Sequence, residues 1–264
     1  MTQAGRSDTA AVGARAARRP SAKGKANRAS SAPRLAELDA NRSDTLARQA
    51  YLALREGIIL GRYREGERLA EQRVAEELAV SRVPLREALP QLEMEGFVHT
   101  VPRRSAVVTR WDAKRVNDLF DLRLCFEVGA ARYAARQAGA GGSSEPLDRA
   151  LAYSRKAVRE GNPYKVAEAS SAYHEAIVDM AGNQLMTNIM RSITGRMVWL
   201  FYLTSQLAAA IALEEHDQLG NAIRSGNEPL AESIAYAHIE HDRIPSFRAL
   251  EAHQTALRPG GQGT

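Results

Sequence analysis

The sequence predicts a mainly α protein in two parts: a small helix-turn-helix unit closed by a β-hairpin, followed by an all-α helical bundle. Three observations carry this expectation. Apolar residues recur at helical spacing from Thr45 onward, two short helices within residues 74–92 are joined by a tight connection, and the chain beyond Trp111 lacks strand alternation. At 264 residues the chain can build two compact cores. The division expected is a disordered basic arm over 1–44, a winged helix-turn-helix over 45–110, an all-α domain over 111–251 and a flexible tail over 252–264.

Residues 1–34 hold eight Arg/Lys against one acid, so the arm carries +7 and leaves −2 of the total +5 for the rest. With no aromatic residue and no apolar run, it cannot bury enough surface to offset the entropy of ordering. An apolar h-region is missing, so it does not read as a signal peptide. Three readings remain open: an arm attracting phosphates, a solubilising extension, and an Arg-rich transit peptide. The first helix carries Leu46, Ala50, Tyr51, Leu54 and Ile58 and stops at Gly61. After a turn through Gly66 comes a short helix with Val74, Ala75 and Leu78. The connection from Ala79 to Arg82 then opens a second helix with Leu85, Ala88, Leu89 and Leu92, closed by Gly96. Residues 97–100 and 106–109 flank Pro102-Arg103-Arg104-Ser105, a hairpin signature that makes the wing.

Reading duplex DNA needs a helix that fits the major groove, with long donors near its N-terminal end. Arg82 and Arg86 lie one turn apart and leave one face, Ser81 is placed to cap the helix, and Pro84 sits in the first turn where no N–H is needed. Two such arginines alone are most often a solvated face; the hairpin with Arg103 and Arg104 at its tip is what favours DNA. The run Ser81-Arg82-Val83-Pro84-Leu85-Arg86-Glu87-Ala88-Leu89, with Leu92-Glu93-Met94-Glu95-Gly96-Phe97, resembles the winged helix of GntR-family bacterial transcription regulators. The resemblance implies operator contacts for Ser81, Arg82, Arg86, Arg103 and Arg104. Val83 departs from a usual Thr, Pro90 from a usual basic residue and Ser105 from a frequent Gly; Pro90 is expected to bend the helix locally.

Residues 111–250 read as some six helices, broken at 139–142, 161–163, 182–183, near Gln206 and at 226–227. Arg123 and Glu127 fall on the apolar stripe of the first of these. A guanidinium there needs an anion, either Glu127 or the carboxylate of a bound ligand. His174 lies with Val166, Ser170, Tyr173 and Ile177; His216 with Ala212, Leu219 and Ile223; His238 with Leu230, Ile234 and His241. One core histidine is usually a satisfied polar group, whereas three from separate helices are a natural metal cage. His99 and His253 read as a strand polar residue and a tail residue. No HExxH motif occurs.

Asp121-Leu122-Arg123 with Glu127, Tyr173-His174, Gly182-Asn183, His216 and His238 resembles the FCD ligand-binding domain of the FadR-like branch of that family. The resemblance implies a divalent cation, zinc or nickel, on His174, His216 and His238, with a small organic acid on the metal and Arg123, Glu127 and Tyr173 near it. At the position of the family's usual Asp ligand stands Ser170, which leaves a neutral, weaker donor set. The expected protein is therefore no enzyme but a homodimeric regulator on a palindromic duplex operator, switched by a small carboxylate. Two alternatives stay open: a hydrolase using the three histidines, for which no general base stands out, and a metal-free sensor of acyl ligands. The single Cys125 fits a reducing compartment, and the apolar stretch 197–213 is interrupted by Thr204, Ser205 and Gln206, which argues for the cytoplasm and against a membrane span.

Overall fold

The computed structural model describes residues 35–100 and 105–257. Helices α1 (Leu35–Ile59), α2 (Glu71–Glu77) and α3 (Arg82–Met94) precede a two-stranded antiparallel sheet of β1 (Val98–His99) and β2 (Val107–Val108). Val98 pairs with Val108 and His99 with Val107. The edge of this wing is extended by residues 66–69, where Leu69 N–H donates to Ala106 at 2.8 Å and Val108 N–H to Glu67 at 2.9 Å. Tyr51, Leu54 and Ile58 of α1, Val74 of α2, and Leu85, Ala88 and Leu92 of α3 close the small core, as helical spacing predicts.

The second part is α4 (Ala113–Gly139), α5 (Glu145–Glu160), α6 (Pro163–Met180), α7 (Gln184–Arg224) and α8 (Glu228–Leu257). Asp112, Asn162 and Asn183 start α4, α6 and α7 by accepting the N–H groups of Arg115, Lys165 and Leu185. Five helices stand where six were expected, because α7 runs through Gln206 without a break. The physical reason is composition: residues 203–213 contain no Gly or Pro, Leu and Ala dominate, and Thr204, Ser205 and Gln206 cost a helix at most about 0.7 kcal/mol each, roughly 1–2 kcal/mol together, which packing in the bundle offsets.

Both outer boundaries also differ from the sequence expectation. Helix α1 starts at Leu35 instead of near Thr45, since Leu35, Ala36, Glu37 and Leu38 are good helix formers following Pro33. Helix α8 continues to Leu257, into the expected tail. His253 on that last stretch is not a loose tail residue: it meets Glu65 at 3.0 Å, while Gln254 donates to the Trp111 carbonyl at 3.1 Å, tying α8 to the winged helix. Residues 1–34 and the hairpin tip with Arg103 and Arg104 lie outside the described residues.

The two parts meet along the first half of α7. Phe97, just past α3, stacks on Trp199 at 5.4 Å, Trp111 packs edge-on against the same indole at 5.6 Å, and Arg196 Nη2 donates to the Met94 carbonyl at 3.2 Å. Buried Glu95 accepts from Tyr51 at 2.8 Å and from Gln91 at 3.0 Å; burial pushes the Tyr51 phenol up to about 12. Gly195 is what allows this approach, because a Cβ there would lie 2.5 Å from the Phe97 ring and 2.7 Å from Glu95 Oε2. Phe97 is fully buried and cannot step aside. Gly195→Ala should therefore destabilise by about 1–3 kcal/mol through overpacking, which outweighs the gain of roughly 1 kcal/mol that alanine brings to a helix interior. Denaturant unfolding checks this, and a variant more stable than the parent refutes the contact.

Candidate effector site and candidate nucleic-acid interface

The face of α3 turned away from the small core carries Ser81, Arg82 and Arg86, all exposed. Ser81 occupies the N-cap position, but its side chain makes no capping bond, contrary to the sequence expectation. Pro90 lies inside α3, which continues to Met94. Arg86 Nε meets Glu71 of α2 at 2.6 Å with its side chain still 62 % exposed, so the guanidinium is parked beside a carboxylate and not buried by it. Val83 beside it is 60 % exposed. This is a basic helix end with an apolar contact point, open to a groove.

The second constellation lies inside the bundle. His174 from α6, His216 from α7 and His238 from α8 are each buried, and one ligating atom from each falls within 4.8 Å of the others. His174 Nε2 and His238 Nε2 face each other at 3.4 Å. Carboxylates hold the outer side of both rings: Glu127 lies 2.8 Å from His174 Nδ1 and Glu215 lies 2.7 Å from His238 Nδ1. Those partners assign the N–H to Nδ1 and turn the Nε2 lone pairs inward. His216 Nε2 is buried with no hydrogen-bond partner. Burial pushes His174 below the usual histidine range and His216 well below it, which keeps both imidazoles neutral.

Arg123 and Glu127 form the structural pair that the sequence offered as one of two options. The Arg123 guanidinium, wholly buried, donates to Glu127 at 2.9 Å and lies 3.2 Å from His174 Nε2, between the rings of Phe120 and Phe201 at 5.5 and 5.1 Å. Burial alone would raise the Glu127 carboxyl; Arg123 and His174 overcome it and hold the group down at about 2. Arg123 Nη1 has no hydrogen bond, and Asp242 Oδ2 lies 3.9 Å from it. Tyr173 takes a different place from the one expected beside a ligand. Its hydroxyl donates to the His216 carbonyl at 2.6 Å and its ring stacks on that imidazole at 4.2 Å, so it braces His216 from behind.

The His238 stripe also needs correcting: Leu230 is 45 % exposed and the His241 side chain 59 % exposed, while Ala231, Ala235, Ile239 and Asp242 share the inner face. The stripe read from the sequence slipped by one residue, to Leu230 in place of Ala231 and to His241 in place of Asp242, because α8 is apolar on more than one side. Sequence reading also missed Glu215 and Asp242. Both were findable, Glu215 as the neighbour of His216 and Asp242 one turn beyond His238. A cavity of about 40 Å³ opens beside the histidines and is lined by Ser170, Phe201, Thr204, His216 and Asp242 among others. That volume takes a few non-hydrogen atoms.

The arrangement fits a divalent cation on the chain's own evidence: two Nε2 lone pairs in opposition, a third imidazole nitrogen without a partner, and carboxylates oriented behind the rings. Among the described residues, Arg123 is the cation that touches that set, at 3.2 Å from His174 Nε2.

Comparison with known proteins gives a consistent result. The model for bacterial regulatory proteins of the gntR family matches residues 46–108, and the FCD domain model matches residues 118–241. The HTH-type transcriptional regulator YdhC of Bacillus subtilis is 26 % identical over 197 residues, 74 % of this chain and 88 % of that one. The Nta operon transcriptional regulator of Aminobacter aminovorans is 28 % identical over 184 residues, 67 % of this chain and 83 % of its own. The crystal structure of a GntR transcriptional regulator from Rhodococcus sp. RHA1 superposes with a TM-score of 0.66 at 22 % identity, covering 79 % of this chain and 99 % of that one. No described helix is long and apolar enough to cross a membrane.

Proposed function

Because the chain belongs to the GntR family of bacterial regulatory proteins and carries an FCD domain behind its winged helix, we propose that its operator affinity is set by a small organic acid bound, together with a divalent cation, among α6, α7 and α8. The protein is a transcription regulator and not an enzyme, which removes the hydrolase alternative. The observation that carries the proposal is the buried, partnerless Nε2 of His216, on a ring packed 5.2 and 4.8 Å from the imidazoles of His174 and His238. A bound dication would supply a Lewis-acidic centre of positive charge for the carboxylate of the effector. His174, His216 and His238 would hold it, Glu127 and Glu215 keep two of those rings in the required tautomer, and Tyr173 fixes the third. The cavity's small volume favours a short acid over an acyl chain.

Helix α7 is the element through which occupancy reaches DNA. It carries His216 at one end and Gly195, Arg196 and Trp199 at the other, and 20 residues of helix separate His216 from Arg196, roughly 30 Å at the usual rise. Arg196 and Trp199 are bolted to the end of α3, so a small shift of α7 re-aims the helix bearing Arg82 and Arg86. In a homodimer on a palindromic operator, that changes the spacing of two recognition helices. A ligand alters operator affinity only as far as it favours one arrangement over the other.

The test uses a duplex selected by the wild-type protein from a random pool. Wild-type protein purified without chelator should retain zinc, nickel or manganese and respond to short mono- and dicarboxylates with a changed duplex affinity. His216→Ala should lose both properties. Retained response in His216→Ala, with no metal held by or restored to the wild type, overturns the proposal.

A further inference from the structure

The geometry points to Asp242 as the anionic protein ligand that completes the three-histidine site, in the role Ser170 cannot fill. This rests on the metal reading above and goes beyond it, because it names a fourth donor from a different helix.

Asp242 lies one turn beyond His238 on α8, so both side chains leave the same face. Its Oδ2 is 3.6 Å from His238 Nε2 and 3.9 Å from Arg123 Nη1, and it hydrogen-bonds to neither atom at these distances. The side chain is 18 % exposed, which places a carboxylate at the mouth of the site and not on the open surface. It lines the same cavity as Ser170 and His216. Glu215, His238 and Asp242 also offer ligand atoms within 4.8 Å of one another, but Glu215 is committed to the Nδ1 atoms of His238 and His241, on the far side of the ring. Asp242 has no such commitment. Of the carboxylates near the triad, it is the one beside an inward-facing Nε2.

Chemistry selects the same residue. Three neutral imidazoles leave a dication with its full +2 charge in a buried setting, whereas one carboxylate lowers this to +1 and leaves the Ser170 side of the cavity for an incoming acid. A monoanionic carboxylate would then bring the centre to neutrality. The same residue accounts for Arg123: without a cation, the guanidinium rests against His174 Nε2 and near Asp242, and a cation would compete with it for both. Metal and guanidinium are thus alternative partners of one donor set.

The experiment titrates cobalt(II) into full-length, chelator-stripped protein, reading the visible absorption band and then displacing cobalt with zinc. The variants are Asp242→Asn, Asp242→Glu, Ser170→Ala and His216→Ala. Substitutions outside the first coordination shell commonly lower metal affinity by roughly 10–100-fold. Loss of a direct ligand in Asp242→Asn should weaken cobalt binding by at least about 10-fold on that scale and alter the band, and Asp242→Glu should restore part of both. Ser170→Ala should stay within about threefold of wild type if the hydroxyl is no ligand, a change below any loss expected of a side chain that binds the metal or orients one of its ligands. Unchanged affinity and band in Asp242→Asn, with His216→Ala impaired, overturns the Asp242 assignment and leaves the triad standing. Wild-type levels of cobalt binding in His216→Ala, or none in the wild type, overturn both.

Discussion

Arg82→Ala and Arg86→Ala should each lower affinity for the selected duplex by roughly 1–3 kcal/mol, and the double variant should bind that duplex no better than an unrelated sequence of equal length. Stability should barely change. Arg82 is exposed, and the contact that Arg86 loses is its ion pair with Glu71, in which the arginine side chain is 62 % exposed. Such pairs contribute about 0–1 kcal/mol because water screens them and two long side chains must be held still. The unequal sizes of the two effects make the assignment testable: binding falls while thermal unfolding stays put. Fluorescence anisotropy at fixed salt, run beside a melt, measures both. An intact duplex affinity in the double variant would remove α3 from the DNA interface. A proportionate loss of stability would mean that the arginines act through the fold.

Elements built on strong local signals were legible from the sequence. Helices α1 to α3 followed from apolar spacing, from Gly61 and Gly96, both at positive φ, and from the short connection between α2 and α3. The joining of His174, His216 and His238 was also accessible, because three helices with one inward histidine each have few ways to pack. Continuity of α7 was not. Polar residues 204–206 look like an interruption when judged by hydropathy, yet a helix tolerates them at small cost when neighbouring helices cover the rest of its length. That error hid the continuity of one helix from the Arg196–Trp199 junction to His216, which a break near Gln206 would have separated. The carboxylates were missed for other reasons. Glu215 beside His216 and Asp242 one turn beyond His238 carried a spacing signal that went unread, whereas Glu95 is an ordinary acid in sequence and only the fold brings it to Tyr51. Gly195 is similar: a helical glycine is unremarked until Phe97 and Glu95 are seen against it.

Glu127→Ala, in protein stripped with chelator, should lose about 3–5 kcal/mol of stability, a large part of the roughly 5–15 kcal/mol that holds most domains folded. Arg123 has no access to solvent, and its remaining neighbours are a neutral imidazole at 3.2 Å and a carboxylate at 3.9 Å, so removal of Glu127 strands a buried charge. A second variant separates charge from packing. Replacing the pair with apolar residues of similar size, Arg123→Met with Glu127→Leu, removes both charges, and such replacements are commonly neutral or stabilising. The double variant should therefore recover most of the loss. It should not recover cobalt binding, because His174 Nδ1 has lost the carboxylate that orients it, a deficit of roughly 10–100-fold. Denaturant unfolding and cobalt titration on the three proteins then give a sharp pattern: unstable and weak for Glu127→Ala, stable and weak for the double variant. A Glu127→Ala protein that unfolds with the wild type would show that Arg123 finds another anion or water in its place, and that the pair is dispensable to the fold.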